Sequence, residues 1–375
     1  MEWLKEELDR IKKANLYRSR NLREGILNFC SNDYLALRDH PEVLEACVRV
    51  LKDAGLGSGA SQLVSGYTKY HKALEEKLAE FKGTECCVVF GSGYLANLGA
   101  ISSLVGEEDA IFSDELNHAS IIDACRLSKA SVFVFRHRDY HHLEELLQTH
   151  RGSFRRCLIV SDTVFSMDGD VANISTLKRM AKEYECMLYL DEAHATGTIG
   201  KSGKGGLEEF SESWEEFMII MGTLSKALGS YGAFVCGSKA LCEYLVNKAR
   251  SLIFSTSLPA CLCAGAEKSL EILEREPWRV EKLKALSERM FENLRSFGFD
   301  ISFHQTPIIP IMVYDEKKAL RIRDALLERG IFIQAIRYPT VALGKARLRL
   351  TASLRYSEED LELLFSLIKS VATAC

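Results

Sequence analysis

Apolar and polar positions along this chain follow two rhythms. Near the start, Leu4, Leu8 and Ile11 recur at helical spacing, which predicts an amphipathic helical arm within residues 1–17. A second helix is expected to open at Pro41, whose missing N–H costs nothing in a first turn, and to run through Val43, Leu44, Val48 and Leu51 towards Gly55. Between them, NFCSNDYLAL reads as a short strand followed by polar loop residues. From about residue 68 short apolar runs take over, at 86–90, 110–112, 131–135, 157–161, 187–189, 217–221 and 232–236. Helical stretches at 69–83, 94–105, 118–128, 141–149, 175–184 and 238–249 separate them. Runs that are apolar on both faces and alternate with helices predict an α/β fold whose mainly parallel seven-stranded sheet is flanked by helices. Such sheets bind ligands beyond the carboxyl ends of their strands.

The last hundred residues change character. Helical patterns near 258–274, 279–296, 316–328 and 358–371 alternate with strands expected at 307–313, 331–334 and 347–351, a small α+β unit. The expected division is an N-terminal arm and short strand segment over 1–48, a large domain over 49–276 and a small C-terminal α+β domain over 277–375. The charged stretch 274–284 marks the boundary between the last two.

Composition supports a chain that folds on its own core. At 375 residues it exceeds one ordinary core, and 47% hydrophobic with 27% charged residues is globular usage. A formal charge of -4 gives no global field for nucleic acid or an anionic membrane, so an anionic ligand must be held locally. The 12 cysteines include adjacent Cys86 and Cys87 and the close pair Cys261 and Cys263, without paired CxxC spacing. They read as free thiols of a reducing compartment, with Cys375 an exposed terminal thiol. MEWLKEELDRIKK lacks the apolar core of a signal peptide and no run is long enough to span a bilayer, so a cytoplasmic, membrane-free protein is expected. No metal is expected: His137, His141 and His142 cluster without ordered ligand spacing and read as a solvated loop.

The chemistry gathers at strand ends. LYLDEAHATG puts Asp191 directly after one apolar strand with His194 three residues on, and MIIMGTLSKALGS puts Thr223, Ser225 and Lys226 after another. A carboxylate, an imidazole and an amine at one sheet edge are what a pyridine-aldehyde cofactor needs. Asp keeps the ring nitrogen protonated, Lys forms the Schiff base and His194 donates to the phenolic oxygen. A surface role for Lys226 and a capping role for Asp191 remain open on these residues alone. FGSGYLAN, residues 90–97, lies between a strand and a helix and offers backbone amides to a phosphate, or is an ordinary turn. In DELNHAS, His118 can stack on one face of a ring, with Ala193 small enough for the other; it can equally be a surface residue at a helix start. Ser166 in VFSMDGD can bond a ligand, while residues 168–170 make a turn. ARLRLTAS puts Arg347, Arg349 and Thr351 on one strand face, either a solvated edge or a carboxylate clamp. No GxSxG elbow is present, so Ser92 and Ser225 are poor acyl-enzyme candidates.

Taken in order, NFCSNDYLAL, GLGSGASQLVSG, HKALEEKLAEF, GSGYLAN, NHAS, VFSMDGD, DEAHATGTIG, GTLSKALGSYG, STSLP and ARLRLT resemble the α-oxoamine synthases, a branch of the fold-type-I pyridoxal 5'-phosphate (PLP) enzymes. The resemblance covers nearly the whole chain and makes the large domain the PLP-binding one. It implies Lys226 as the cofactor-bearing lysine, Asp191 facing the ring nitrogen, His118 stacked on the ring, and His194 with Ser166 near the phenolic oxygen. It implies Gly93, Tyr94, Thr223 and a Thr256 from the partner subunit as the phosphate cradle, and Asn32 and Arg349 on the substrate side. Homodimers with interface active sites follow from the same resemblance. Within the family, SNDYLAL, GSGASQLVSG and DEAHATG favour members that join L-alanine to a pimeloyl thioester in biotin synthesis over glycine-using members. Arg18, Arg20 and Arg23 are then candidates for a pimeloyl carboxylate or CoA phosphates, or solvent-facing charges. Two departures stand out: Asp162 replaces the Glu that commonly precedes VFSMDGD, and Ala36 replaces the Gly of NDYLGL.

Overall fold

The computed structural model describes residues 1–14 and 16–374, the last three by backbone alone, so the expectation for Cys375 lies outside the described residues. Its strands are β1 Leu27–Asn28, β2 Cys86–Phe90, β3 Ala110–Asp114, β4 Ser131–Phe135, β5 Cys157–Asp162, β6 Met187–Asp191, β7 Met218–Thr223, β8 Ala233–Gly237, β9 Ile308–Tyr314, β10 Ile331–Phe332, β11 Gln334–Ile336 and β12 Ala346–Thr351. Seven of them form one sheet in the order β2-β8-β7-β6-β5-β3-β4. Strands β3 to β7 pair in parallel, while β8 runs antiparallel to both β7 and β2. The reversal follows from chain length: a parallel return needs a crossover of a dozen or more residues, and only 224–232 separate β7 from β8. That short connection carries Lys226.

Both faces of the sheet are covered, as apolar runs without alternation require. Phe112, Ile159, Leu188, Leu190 and Phe234 pack into the core on one face, and Ile111, Leu158, Val160, Tyr189 and Val235 into the core on the other. Helices Lys69–Lys82, Gly93–Leu104, Ala119–Ser128, Tyr140–His150, Ile174–Glu183 and Lys239–Lys248 supply the layers. Because the parallel strands point one way, Asp162, Asp191 and Thr223 close the same edge; Asp162 and Asp191 sit opposite one another in register.

A smaller sheet, β11-β12-β9, lies beyond helix Trp278–Ser296. The strand expected over 331–334 is two elements. β10 pairs in parallel with β1, and after buried Ile333 the chain changes partner and β11 pairs antiparallel with β12. The continuous apolar run IFIQAI could not disclose the break, because the first partner comes from the opposite end of the chain. Helix Glu2–Lys13 forms as expected but buries no residue within this chain. No described helix is long and apolar enough to cross a membrane.

Candidate active site

Asp191 ends β6 with its carboxylate buried. Oδ1 accepts from the backbone N–H of Ala193 at 2.9 Å and Oδ2 from Asn97 Nδ2 at 2.8 Å. Asn97 reaches it from helix Gly93–Leu104, whose N-cap Ser92 accepts from Leu95 N–H. The same amide group of Asn97 donates to Ser120 Oγ at 2.8 Å, and its carbonyl accepts from the Tyr189 hydroxyl at 2.9 Å. Ser120 Oγ lies 2.7 Å from His118 Nδ1, and the His118 backbone N–H donates to Asp162 Oδ2 at 2.7 Å. Asn117 closes the arrangement, donating to the Val160 carbonyl and accepting from the Asp162 backbone N–H. The 117–120 loop is thereby stapled to β5 beside Asp191.

The Lys226 amine stands 2.8 Å from His194 Nε2. On the far side, His194 Nδ1 meets the hydroxyl of fully buried Tyr34 at 2.8 Å, and that hydroxyl reaches Asn32 Oδ1 at 3.1 Å. Arg349 donates two guanidinium bonds to the same Asn32 oxygen, at 3.2 and 3.3 Å, and Nε to the Ser166 carbonyl at 2.6 Å. With Tyr34 donating to Asn32, the consistent tautomer of His194 carries its proton on Nδ1 and accepts from Lys226 on Nε2.

Burial dominates the electrostatics. It lowers the Lys226 pKa to about 8, with the Asp191 and Asp162 charges opposing and the Arg349 charge assisting. Burial, then the Lys226 and Arg349 charges, push His194 well below the usual imidazole range, so the ring is neutral at neutral pH. Burial also lowers His118, against the pull of Asp191, and burial with the nearby Asp191 charge raises Asp162 well above the carboxylate range. A raised Asp162 beside an anchored Asp191 is what two carboxyl groups sharing a buried edge require.

A cavity of about 180 Å³ opens among Gly93, His118, Asp191, Ala193, Thr223 and Lys226. It adjoins a wider one of about 880 Å³, reached past His118, His194 and Lys226, with Asn32, Ser166 and Arg349 on one side and an apolar wall including Ile122, Met167, Phe332 and Val341. The smaller cavity fits PLP by the chemistry of its lining. An amine, a buried carboxylate, an imidazole and a small alanine wall surround a ring-sized space, with a helix start and the Thr223 and Ser225 hydroxyls at one end. A Cβ built on Gly93 meets nothing nearer than 3.8 Å, so the glycine leaves open room there.

The structure therefore brings together Lys226, His118, Asp191, His194, Gly93, Tyr94 and Thr223 around one cavity and Asn32, Ser166 and Arg349 around its neighbour. The solvated-edge reading of the two strand arginines is corrected: both are buried, Arg347 bonded to Asp168 and the Met167 carbonyl, Arg349 facing the cavity. The solvated-loop reading of His137 is corrected too. It is held between Asp114 Oδ1 at 2.9 Å and Asp170 Oδ2 at 2.7 Å, whereas His141 is exposed. Thr256 lines neither cavity; it is exposed and bridged to Ser61. Arg18 donates to Thr340 Oγ1 at the rim, and Arg20 is exposed and lines neither cavity. Sequence reasoning missed Asn97, Ser120 and Tyr34. Each stands inside a recognised block, but its partner lies far away in sequence and only the fold pairs them.

A family model described as aminotransferase class I and II matches residues 24–368. The chain belongs to that family. Within it the chain falls in the α-oxoamine synthase branch of fold-type-I PLP enzymes, as the residue blocks imply. It is 64% identical over 371 residues, 99% of each chain, to an Aquifex aeolicus protein provisionally named 8-amino-7-oxononanoate synthase. It is 43% identical to the 8-amino-7-oxononanoate synthase of Symbiobacterium thermophilum, over 96% of this chain and 95% of that one. Among solved structures, the Sphingomonas wittichii serine palmitoyltransferase superposes with a TM-score of 0.91 at 29% identity, covering 99% of this α-oxoamine synthase and 96% of that chain. A serine palmitoyltransferase of S. paucimobilis with bound PLP and myriocin matches with a TM-score of 0.89 at 26% identity, over 99% and 97%. The 8-amino-7-oxononanoate synthase of Francisella tularensis gives 0.79 at 29% identity, over 93% and 98%.

Proposed function

We propose that this chain is a PLP-dependent acyltransferase that condenses L-alanine with a pimeloyl thioester, yielding 8-amino-7-oxononanoate, carbon dioxide and the free thiol carrier. The observation that carries the reading is the pairing of the Lys226 amine and the Asp191 carboxylate across one cavity at the carboxyl edge of the sheet. The choice among α-oxoamine synthases rests on full-length identity to chains bearing the oxononanoate synthase name.

When bound, PLP supplies a conjugated ring that absorbs the electron pair left on Cα by a departing proton or carboxylate. Asp191, fixed by Asn97 and the Ala193 amide, would hold the proton on the ring nitrogen. Lys226, with its pKa near 8, is poised to take the Cα proton as a base and return it as an acid near neutral pH. His118 would cover one ring face and restrain it, and neutral His194 would donate or accept at the phenolic oxygen with Ser166 nearby. Arg349 would exchange its Asn32 bonds for the alanine carboxylate, orienting the Cα bonds against the ring plane. Gly93, Tyr94 and Thr223 would hold the phosphate. The apolar wall of the wider cavity suits a methylene chain.

The site is completed in a homodimer on this reading, with Thr256 entering from the partner subunit. Leu63, Val64 and Phe254, all more than half exposed, flank the Ser61–Thr256 bridge and support a covered apolar face there. The test is a product assay pairing L-alanine, glycine and L-serine with acyl thioesters of different length. Thiol release and an amino-ketone product with L-alanine and a pimeloyl thioester support the reading. Preference for glycine with acetyl-CoA would assign a glycine-using synthase, and preference for serine with a long acyl chain a palmitoyltransferase-like one. Neither product nor cofactor absorbance would reduce the fold to a scaffold.

A further inference from the structure

Lys82 and Glu192 form an ion pair away from the catalytic cavities. Lys82 is the last residue of helix Lys69–Lys82 and Glu192 follows Asp191; they meet at 2.5 Å with both side chains 1% exposed. The Phe81 and Phe234 rings each lie 5.8 Å from the ammonium, so protein atoms rather than bulk water must answer the two charges. Lys82 Nζ directs its three donors to Glu192 Oε2, to Thr196 Oγ1 at 2.8 Å and to the Lys204 carbonyl at 2.7 Å. Glu192 Oε1 accepts from the Gly206 backbone N–H at 2.8 Å.

A buried pair of this kind is a weak source of stability, because apolar side chains of similar volume often do as well. What it adds is direction. Its bonds reach both ends of the excursion that leaves β6 after Asp191, with Glu192 and Thr196 at the start and Lys204 and Gly206 at the close. There is little slack in it: a Cβ built on Gly205 would fall 2.1 Å from Glu192 Oε2, and one on Gly206 3.2 Å from Oε1. The excursion also carries chemistry. The Ala193 N–H donates to Asp191 Oδ1 at 2.9 Å, and His194 Nε2 meets the Lys226 amine at 2.8 Å. Further on, Gly197 lies so close to the Lys226 loop that an added Cβ would stand 2.6 Å from the Cβ of Ala227. Lys82 and Glu192 line neither catalytic cavity, so their influence passes through these contacts.

We propose that the Lys82–Glu192 pair is a positioning unit for the reaction at Lys226, fixing the 192–206 excursion so that the Ala193 amide stays on Asp191 and the His194 ring on the lysine. The inference rests on the proposed roles of Lys226 and Asp191 and is independent of which amino acid and thioester react. A displaced turn lengthens both hydrogen bonds, and a misplacement of about 1 Å can cost on the order of 100-fold in rate.

The test separates position from stability. Lys82→Met and Glu192→Gln each leave one charge buried without its partner, and both should unfold at lower denaturant. Lys82→Met/Glu192→Gln removes both charges and keeps an acceptor for the Gly206 N–H, so its midpoint should return towards that of the wild type. In its PLP-loaded form, the pH at which the cofactor absorbance changes should still be displaced by roughly half a unit or more, and kcat should fall roughly 10- to 100-fold. KM for the amino acid should stay in place, because Arg349 and Asn32 are held by other elements. Thr196→Val removes one acceptor and neither charge, and should move both readouts in the same direction by a smaller amount; it decides the matter if the double variant does not fold. A folded double variant, or a Thr196→Val protein, that titrates and turns over as the wild type does would overturn the proposal and leave the pair a packing device. Absence of cofactor absorbance in the PLP-treated wild type would overturn the roles of Lys226 and Asp191 and the positioning unit with them. A wild-type band that the variants leave unmoved overturns the positioning unit alone.

Discussion

The Lys226 amine and His194 Nε2 stand 2.8 Å apart, and the imidazole is neutral, so the hydrogen bond holds the lysine without fixing a charge beside it. Burial lowers the Lys226 pKa to about 8, below the ordinary range near 10.4. An ammonium cannot attack an aldehyde, whereas the free amine can. In the cofactor-free protein, the second-order rate of PLP capture should therefore rise about tenfold per pH unit below 8 and level off above it. Stopped-flow absorbance of the bound cofactor measures this. A rate still climbing steeply to pH 10 would mean that the amine keeps its aqueous basicity.

Asn97 ties the two sides of the ring site together, holding Asp191 with one hydrogen bond and Ser120, hence His118, with another. Asn97→Ala should leave Asp191 and the buried Tyr189 hydroxyl each short of a partner. We expect kcat to fall by roughly 10- to 100-fold, as for other residues that orient a functional group. The pH at which the absorbance of the bound cofactor changes should move with it. Asn97→Asp should behave worse than Asn97→Ala, because it sets a second carboxylate against Asp191. An unchanged spectroscopic titration with lower thermal stability alone would make Asn97 a packing residue only.

How far the sequence discloses this site depends on the distance over which each feature is decided. The seven strands of the large sheet are legible because buried strands write themselves as apolar runs, and Asp191 and Lys226 because they follow such runs directly. The reversed direction of β8 is not marked by its own residues; it follows from the shortness of the loop before it. The split of β10 from β11 is invisible locally because Leu27–Asn28 supplies the first partner from about three hundred residues away. Tyr34, Asn97 and Ser120 lie in motifs that can be read, yet their roles come from partners on other elements. A hollow of about 520 Å³ beside helix Glu316–Leu327 is the extreme case: Lys12 and Arg18 come to it from the arm and Arg323 and Arg337 from the C-terminal region.

Ala36, in the SNDYLAL segment, has a φ of +54°, in the left-handed region. A Cβ in that region costs about 1–2 kcal/mol, and a glycine gives back roughly 0.5–1 kcal/mol through a looser unfolded chain. Ala36→Gly should then stabilise the protein by about 0.5–1 kcal/mol, read as a higher denaturant midpoint with an unchanged slope. The turn lies between Asn32 and Leu37, where Asp33 Oδ1 accepts from Leu37 N–H. Relief of strain there should leave KM for the amino acid in place. A lower midpoint would show that the alanine methyl contributes packing worth more than its strain.

His137 bridges two carboxylates, Asp114 at the end of β3 and Asp170 in the loop after β5, and stacks edge-on against Phe165. Burial alone would lower its pKa, but the hydrogen bonds and charges of Asp114 and Asp170 prevail and raise it from 6.5 to about 10. The folded state thus binds a proton that the unfolded chain releases near pH 6.5. The stabilisation is complete below that value and declines as the pH rises towards 10, by up to about 1.4 kcal/mol per unit. Wild-type and His137→Gln proteins should differ most in unfolding free energy near pH 6 and converge by pH 10. Lys226, lowered rather than raised, tilts both proteins the opposite way and cancels in the difference. A gap independent of pH would show that His137 acts by shape and neutral hydrogen bonding instead of by its charge. In that case the Asp114–His137–Asp170 bridge would join the loop carrying Ser166 to the sheet without making the site sensitive to alkali.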